Sequence, residues 1–264
     1  MASKEKNSAL KVENLNIGYL HKHKERCVVQ GIDFDLQSGE LFAIVGVNGV
    51  GKSTLLRTLG KVQPKLAGTI EIKGKNLETV KSLDLASKIS LVLTEPIASK
   101  NLTVMELVAL GRQPYTNWIG NLSIEDKAQI VSSLSMLELD TLKHKKCYEL
   151  SDGQLQRVMI ARALAQDTSI ILLDEPTTHL DLYHKVQILK LLKSIAHETK
   201  KTVVFTTHEI EMAIQLCDKM LLLDNVDNPF GEPCELISQG VFEKLFPSEM
   251  VSFDPKTGSF RIEK

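Results

Sequence analysis

The sequence predicts an α/β protein with a mainly parallel core sheet, an antiparallel β subdomain at the N-terminus and a helical insertion. Three observations carry that prediction. Four short runs, 41–45 (LFAIV), 170–173 (IILL), 202–206 (TVVFT) and 220–223 (MLLL), have the largely unbroken apolar character of strands buried on both faces. Helical patterns at 182–197 and 209–216 separate the later runs, and strands alternating with helices imply a parallel sheet covered on both sides. The opening stretch instead alternates apolar with polar residues, as half-exposed antiparallel strands do.

Taken in order, Leu10, Val12, Leu15 and Ile17 mark a first strand, and 32–36 a second that alternates cleanly. The run 41–45 leads directly into Gly46-Val47-Asn48-Gly49-Val50-Gly51-Lys52-Ser53, after which 52–59 reads as a helix. Residues 68–74, bounded by glycines, fit a strand at a sheet edge, and 89–93 fits another strand. From about 99 to 166 the character turns helical. Thr103 can cap a helix over 104–110 with Glu106 at the capping-box position, and Ser123 can cap 124–137 with Asp126 three residues on. Gly111-Arg112 fits a C-cap glycine and a surface arginine closing the first of these helices. A tail from about 225 to 264 holds no charge block or cysteine pair that suggests a mechanism. The expected organisation is one domain over 1–264, with no internal repeat.

Composition excludes several classes. Hydrophobic content of 43% and charged content of 25% are ordinary for a soluble globular protein. With 32 basic and 33 acidic residues the net charge is −1, so no overall field recruits nucleic acid or anionic lipid. The four cysteines lack metal-ligand spacing and read as reduced thiols. No apolar stretch approaches the ~18 residues of a membrane span, and the first ten residues lack the apolar run of a secretory signal. The expected location is the cytosol, with a partner holding the chain wherever it works at a membrane.

The glycine-rich segment has a direct chemical logic. Gly46, Gly49 and Gly51 let the backbone turn tightly, so that N–H groups, Asn48's among them, converge on phosphates. Lys52 adds positive charge, Ser53 offers a hydroxyl to Mg2+, and Thr54 adds another for a phosphate. Asp174-Glu175 ends an apolar run, at the carboxyl edge where such sheets bind ligands, and Asp174 is a candidate to hold Mg2+. Alone, two adjacent acids there also fit surface caps.

The order of these features, with Leu150-Ser151-Asp152-Gly153-Gln154 just ahead of 170–175, resembles the ATP-binding cassette ATPases, the motor subunits of membrane transporters. The resemblance covers roughly residues 10 to 225 and implies the ATP-binding cassette variant of the P-loop NTPase fold. By that resemblance Glu175 is the general base toward the attacking water, and Ser151, Gly153 and Gln154 contact ATP bound to the opposite protomer. His208, after the strand at 202–206, matches the switch histidine, although a lone histidine there also fits a polar sheet edge. Asp181 matches the loop that touches the other protomer. Tyr19 is placed to stack on adenine, with a buried core tyrosine as the rival. Two positions depart from the pattern. Asp152 stands where glycine is commonest and is expected to face away from the phosphate. Glu95 stands where the family has a glutamine that reaches Mg2+ or its water, and is carried as a metal or lid residue.

The resemblance further implies ATP and Mg2+ as cofactors and a homodimer docked on transmembrane permease subunits. A substrate-binding protein takes part indirectly, nucleic acid takes none, and the place is the cytoplasmic face of the inner membrane. The stretch from Asn101 to Tyr115, together with the tail from Gly240 to Phe260, is similar to importer subunits for iron–siderophore, haem and cobalamin complexes. Two alternatives stay open: a cassette serving another substrate, and a soluble ATPase of cofactor assembly or nucleic-acid processing.

Overall fold

The computed structural model describes residues 8–21, 24–95, 99–116, 120–245 and 250–262. In chain order its elements are β1 (Ser8–His21), β2 (Lys24–Gln37), β3 (Leu41–Val45), α1 (Lys52–Leu59), β4 (Ala67–Ile72), β5 (Lys75–Asn76), α2 (Ser82–Ala86), β6 (Ile89–Val92), α3 (Val104–Ala109), α4 (Ile124–Met136), α5 (Asp152–Ala165), β7 (Ile170–Leu173) and α6 (Leu182–Thr199). There follow β8 (Thr202–Thr207), α7 (Ile210–Leu216), β9 (Lys219–Leu222), β10 (Phe230–Gly231), α8 (Pro233–Ser238), β11 (Val251–Asp254) and β12 (Ser259–Ile262). The chain divides into two compact units, residues 1–80 with 192–264, and residues 81–191. Both combine strand and helix, and the class is α/β.

In the first unit an antiparallel sheet runs in the order β2-β1-β4-β5. Leu10, Val12, Leu15 and Ile17 are each no more than 1% exposed, although their numbers change from even to odd. A register shift between Val12 and Leu15 explains the change: Asn14 turns to φ 46° and donates its N–H to Asp33. The extra residue of such a bulge moves the inward face by one position. β2 begins at Lys24, well before the alternation at 32–36, and its first four residues are exposed. Pairing with β1 holds them there without burial, so nothing in their side chains announces a strand. β4 is not an edge strand as expected; it lies between β1 and the two-residue β5.

The parallel layer of this unit places β3 between β8 and β9, with β10 antiparallel beyond β9. Every residue of β3 and β8 is buried, as strands covered on both faces must be. Phe34 of β2, Phe42 of β3 and Phe230 of β10 cluster with ring centroids 5.1–5.9 Å apart and join the two layers. Phe34 and Phe42 are buried, and full burial of such a ring contributes roughly 1.5–3 kcal/mol. The tail is ordered here too: β11 and β12 form a hairpin, Phe253 packs on Phe242 and Phe260, and Phe260 donates its N–H to Glu211 of α7 at 2.7 Å.

In the second unit β6 and β7 pair in parallel, and α3, α4 and α5 pack together. Both expected capping boxes form, Thr103 with Glu106 and Ser123 with Asp126, and Ser151 with Gln154 adds a third at the start of α5. The reading of Gly111-Arg112 as a cap and surface arginine is overturned. The chain continues from α3 as a 3-10 helix through Tyr115, and Arg112 is only 8% exposed. Gly111 serves close packing instead: a Cβ there would lie 2.3 Å from the carbonyl oxygen of Arg162 in α5. Among the described residues, no helix is long and apolar enough to cross a membrane.

Candidate active site

The first unit carries the phosphate loop. It leaves the buried end of β3 and runs into α1 with Gly51 as N-cap. Gly46 sits at φ 148°, and a Cβ there would fall 2.6 Å from the carbonyl oxygen of Leu223, so only glycine lets the turn pass beside β9. Val47, Asn48 and Gly49 are exposed, whereas Lys52 is 5% exposed. A buried ammonium needs hydrogen-bond acceptors. Lys52 Nζ donates to the carbonyl oxygens of Gly46 at 2.9 Å and Val47 at 3.2 Å, which holds its charge across the loop. Ser53 and Thr54 follow in the first turn of α1, where N–H groups and helix dipole favour an anion. Tyr19, 51% exposed, is not a core residue; its hydroxyl lies 3.1 Å from Thr54 Oγ1, tying the end of β1 to this turn. His208 follows β8 directly, is exposed, and its Nε2 lies 3.5 Å from Glu209 Oε1.

The second unit carries the carboxylates. Asp174 follows β7, is 3% exposed, and donates its backbone N–H to the carbonyl oxygen of Val92 at 2.8 Å. Glu175 has φ 46°, a left-handed conformation that costs a non-glycine residue about 1–2 kcal/mol. The turn it opens brings Thr178 Oγ1 to 2.9 Å from Glu175 Oε2, where the hydroxyl donates and fixes the carboxylate's direction. Glu95, Asp174 and Glu175 line one cavity of about 350 Å³, and Asp152 stands on its wall as well. Ser151, Gly153, Gln154 and Asp181 are not among its described lining residues. They sit at helix starts instead. Ser151 Oγ accepts the N–H of Gln154 at 3.3 Å, and Gln154 Oε1 accepts the N–H of Ser151 at 3.2 Å. Asp181 accepts the N–H of His184 at the start of α6, and that bond holds its carboxyl below the usual range. A Cβ on Gly153 would meet only ordinary contacts within the chain, at 3.6 Å or more.

Each unit, taken by itself, offers oxygen donors of the kind a hard divalent cation takes. Ser53 offers a hydroxyl, and Asp174 and Glu95 offer carboxylates. Among the described residues no group of three or more His, Cys, Asp and Glu side chains forms a cage of its own. Magnesium usually takes only one or two carboxylates and completes its shell with substrate and water.

A family model described as ABC transporter matches residues 29–178. The chain belongs to the ABC transporter family. This cassette is 37% identical over 255 residues to an uncharacterized ABC transporter ATP-binding protein of Methanocaldococcus jannaschii, covering 96% of this chain and 87% of that protein. It is 34% identical to a petrobactin import ATP-binding protein of Bacillus anthracis (92% and 90% covered) and 33% identical to an iron(3+)-hydroxamate import ATP-binding protein of Bacillus subtilis (95% and 92%). Among solved structures it superposes on a chain described as part of an inward-facing, metal-chelate type ABC transporter, with TM-score 0.78, 31% identity and coverage of 97% and 96%. It also matches the cassette MJ0796 in a dimeric post-hydrolysis state bound to ADP and Pi, with TM-score 0.71, 29% identity and coverage of 85% and 98%. The cassette is an ATPase.

Sequence reasoning missed the parts that three residues play within the second unit. Thr178, which orients Glu175, carried no signal beyond its place in a turn. Arg112 and Tyr115 bond to the end of α5, and their partners lie some fifty residues away in sequence.

Proposed function

We propose that the cassette is the motor of an importer for an iron chelate of the siderophore class, working as a homodimer beneath its permease on the cytoplasmic face of the membrane. The observation that carries the reading is one family member holding both a phosphate loop locked around Lys52 and an oriented carboxylate pair, Asp174-Glu175. The import proteins named above support the substrate class, and the dimeric cassette bound to ADP and Pi supports the assembly.

In this reading the loop's N–H groups and Lys52 bind the triphosphate, Thr54 adds a hydroxyl, and Tyr19 presents its exposed ring to the adenine. Ser53 and Asp174, with Glu95 directly or through water, hold Mg2+. When bound, such an ion would supply positive charge against the phosphates. Glu175 takes the proton of the attacking water, its carboxylate pre-aimed by Thr178. His208 senses the γ-phosphate after β8. Ser151 and the start of α5, with Gly153 and Gln154, complete the site of the opposite protomer, and Asp181 touches that protomer. Gly153 fits such a role, because nothing nearby in its own chain demands glycine. Asp152 occupies the first turn of α5, where a carboxylate favours the helix dipole. ATP then closes two protomers and loss of the γ-phosphate parts them, a two-state element biased by ligand.

Co-expression with the permease, purification in lipid nanodiscs and assay of ATP turnover test the substrate class. Binding protein loaded with a ferric siderophore should stimulate turnover several-fold over unloaded protein. Equal stimulation by cobalamin-, haem- and siderophore-loaded proteins, or none by any, contradicts the siderophore assignment.

A further inference from the structure

We propose that Arg112, together with Tyr115, is a positioning residue for the contact made across the dimer: it clamps the far end of α5 so that Ser151 is presented in one fixed orientation. The inference rests on the shared-site reading above. α5 has 14 residues, so the clamped end lies about 20 Å from the Ser151 end.

The last carbonyls of a helix have no partners within it. Here three successive ones are taken by side chains from outside α5. Leu164 O accepts from Gln129 Nε2 at 3.4 Å, Ala165 O from Arg112 Nη1 at 2.8 Å, and Gln166 O from the Tyr115 hydroxyl at 2.9 Å. The guanidinium is itself immobilised. Its Nε donates to Asp126 Oδ1 at 2.8 Å, both side chains are under a tenth exposed, and its central carbon lies 4.0 Å from the centre of the Tyr115 ring. Asp126 also belongs to the capping box of α4. The start of α4, the 110–115 turn and the end of α5 therefore share one polar knot, and Gly111 lets that turn press against α5.

The knot reaches further. Gln166 Nε2 donates to the carbonyl oxygens of Ala86, at the end of α2, and Ile89, at the start of β6, the strand that leads to Glu95. The Ser151 helix and the Glu95 strand are thus tied at one point. A buried ion pair adds little stability over apolar packing, but a planar guanidinium with fixed acceptors sets direction. That is what a helix needs if its opposite end must meet a phosphate on another molecule.

The test uses the full chain carrying Glu175→Gln, which removes the proposed general base and should therefore keep ATP bound. The MgATP-dependent dimer dissociation constant is measured by sedimentation for this parent and for versions adding Arg112→Lys or Tyr115→Phe. Melting temperature and nucleotide affinity below the dimerising concentration are measured alongside. Both substitutions keep bulk, and Lys keeps a charge beside Asp126. The expected result is unchanged nucleotide affinity, a melting temperature within about 4 °C of the parent, and a dimer constant weakened about tenfold by Arg112→Lys and less by Tyr115→Phe. Dimerisation equal to the parent in both variants overturns the clamp and leaves the shared site standing. Weakening that matches an equal loss of nucleotide affinity also overturns it, because the role is then general stability. A parent that fails to dimerise removes the shared site, and the clamp with it.

Discussion

Glu175 holds an unfavourable backbone angle, and its side chain receives a hydrogen bond from Thr178. Backbone strain of this kind persists where the surrounding structure over-determines it, and it concentrates at sites of chemistry. Replacing Thr178 by Val keeps the shape and removes the donor. We expect turnover to fall about tenfold with ATP affinity unchanged, since orientation of the proposed general base acts on the chemical step. A variant with unaltered turnover would show that the hydroxyl only closes the turn. The acidic pair itself was legible in the sequence, because an apolar run ending in two carboxylates is a local pattern. The angle at Glu175 was not, since many turns can follow a buried strand. Tyr19 was legible as an aromatic at a strand end, but its exposure depended on where β1 runs out beside α1.

The helix starts could be read because capping is local: Thr103, Ser123 and their partners three residues on are enough to fix them. The polar knot at the end of α5 could not. Arg112 meets the carbonyl of Ala165, 53 residues away, and no pattern within 110–115 reports that distance. The first half of β2 and the tail hairpin were hidden for a related reason: the one is held by backbone pairing and the other by three separated phenylalanines. The knot has a pH signature. The backbone N–H of Ser123, and then Arg112, hold the Asp126 carboxyl below its usual value. A lowered folded pKa stabilises the fold above the unfolded value of about 3.9, and that contribution is lost as pH falls from there through the folded value. Denaturant midpoints measured from pH 6 down to pH 2.5 should therefore fall more steeply for the parent chain than for Asp126→Asn. Parallel curves would show that Asp126 titrates alike folded and unfolded. Removing the other partner is harsher: Arg112→Ala strands a buried carboxylate at a cost of roughly 3–5 kcal/mol.

Two protomers are needed for work if Ser151 acts on its twin's nucleotide, and this assembly is the claim on which import by this cassette depends. The sequence carried it only through resemblance, because among the described residues Ser151 is seen to start a helix and Gly153 to make only ordinary contacts. A mixing experiment addresses it most directly. Lys52→Ala should cripple the site on its own chain, and Ser151→Ala should cripple the site on the partner, so each variant alone should be nearly inactive. Mixed dimers retain one site with both Lys52 and Ser151 intact. The account predicts that combining the two inactive proteins with MgATP in the presence of permease restores ATP turnover. A mixture as inactive as its components, or a Ser151→Ala protein as active as the unmodified chain, would contradict it.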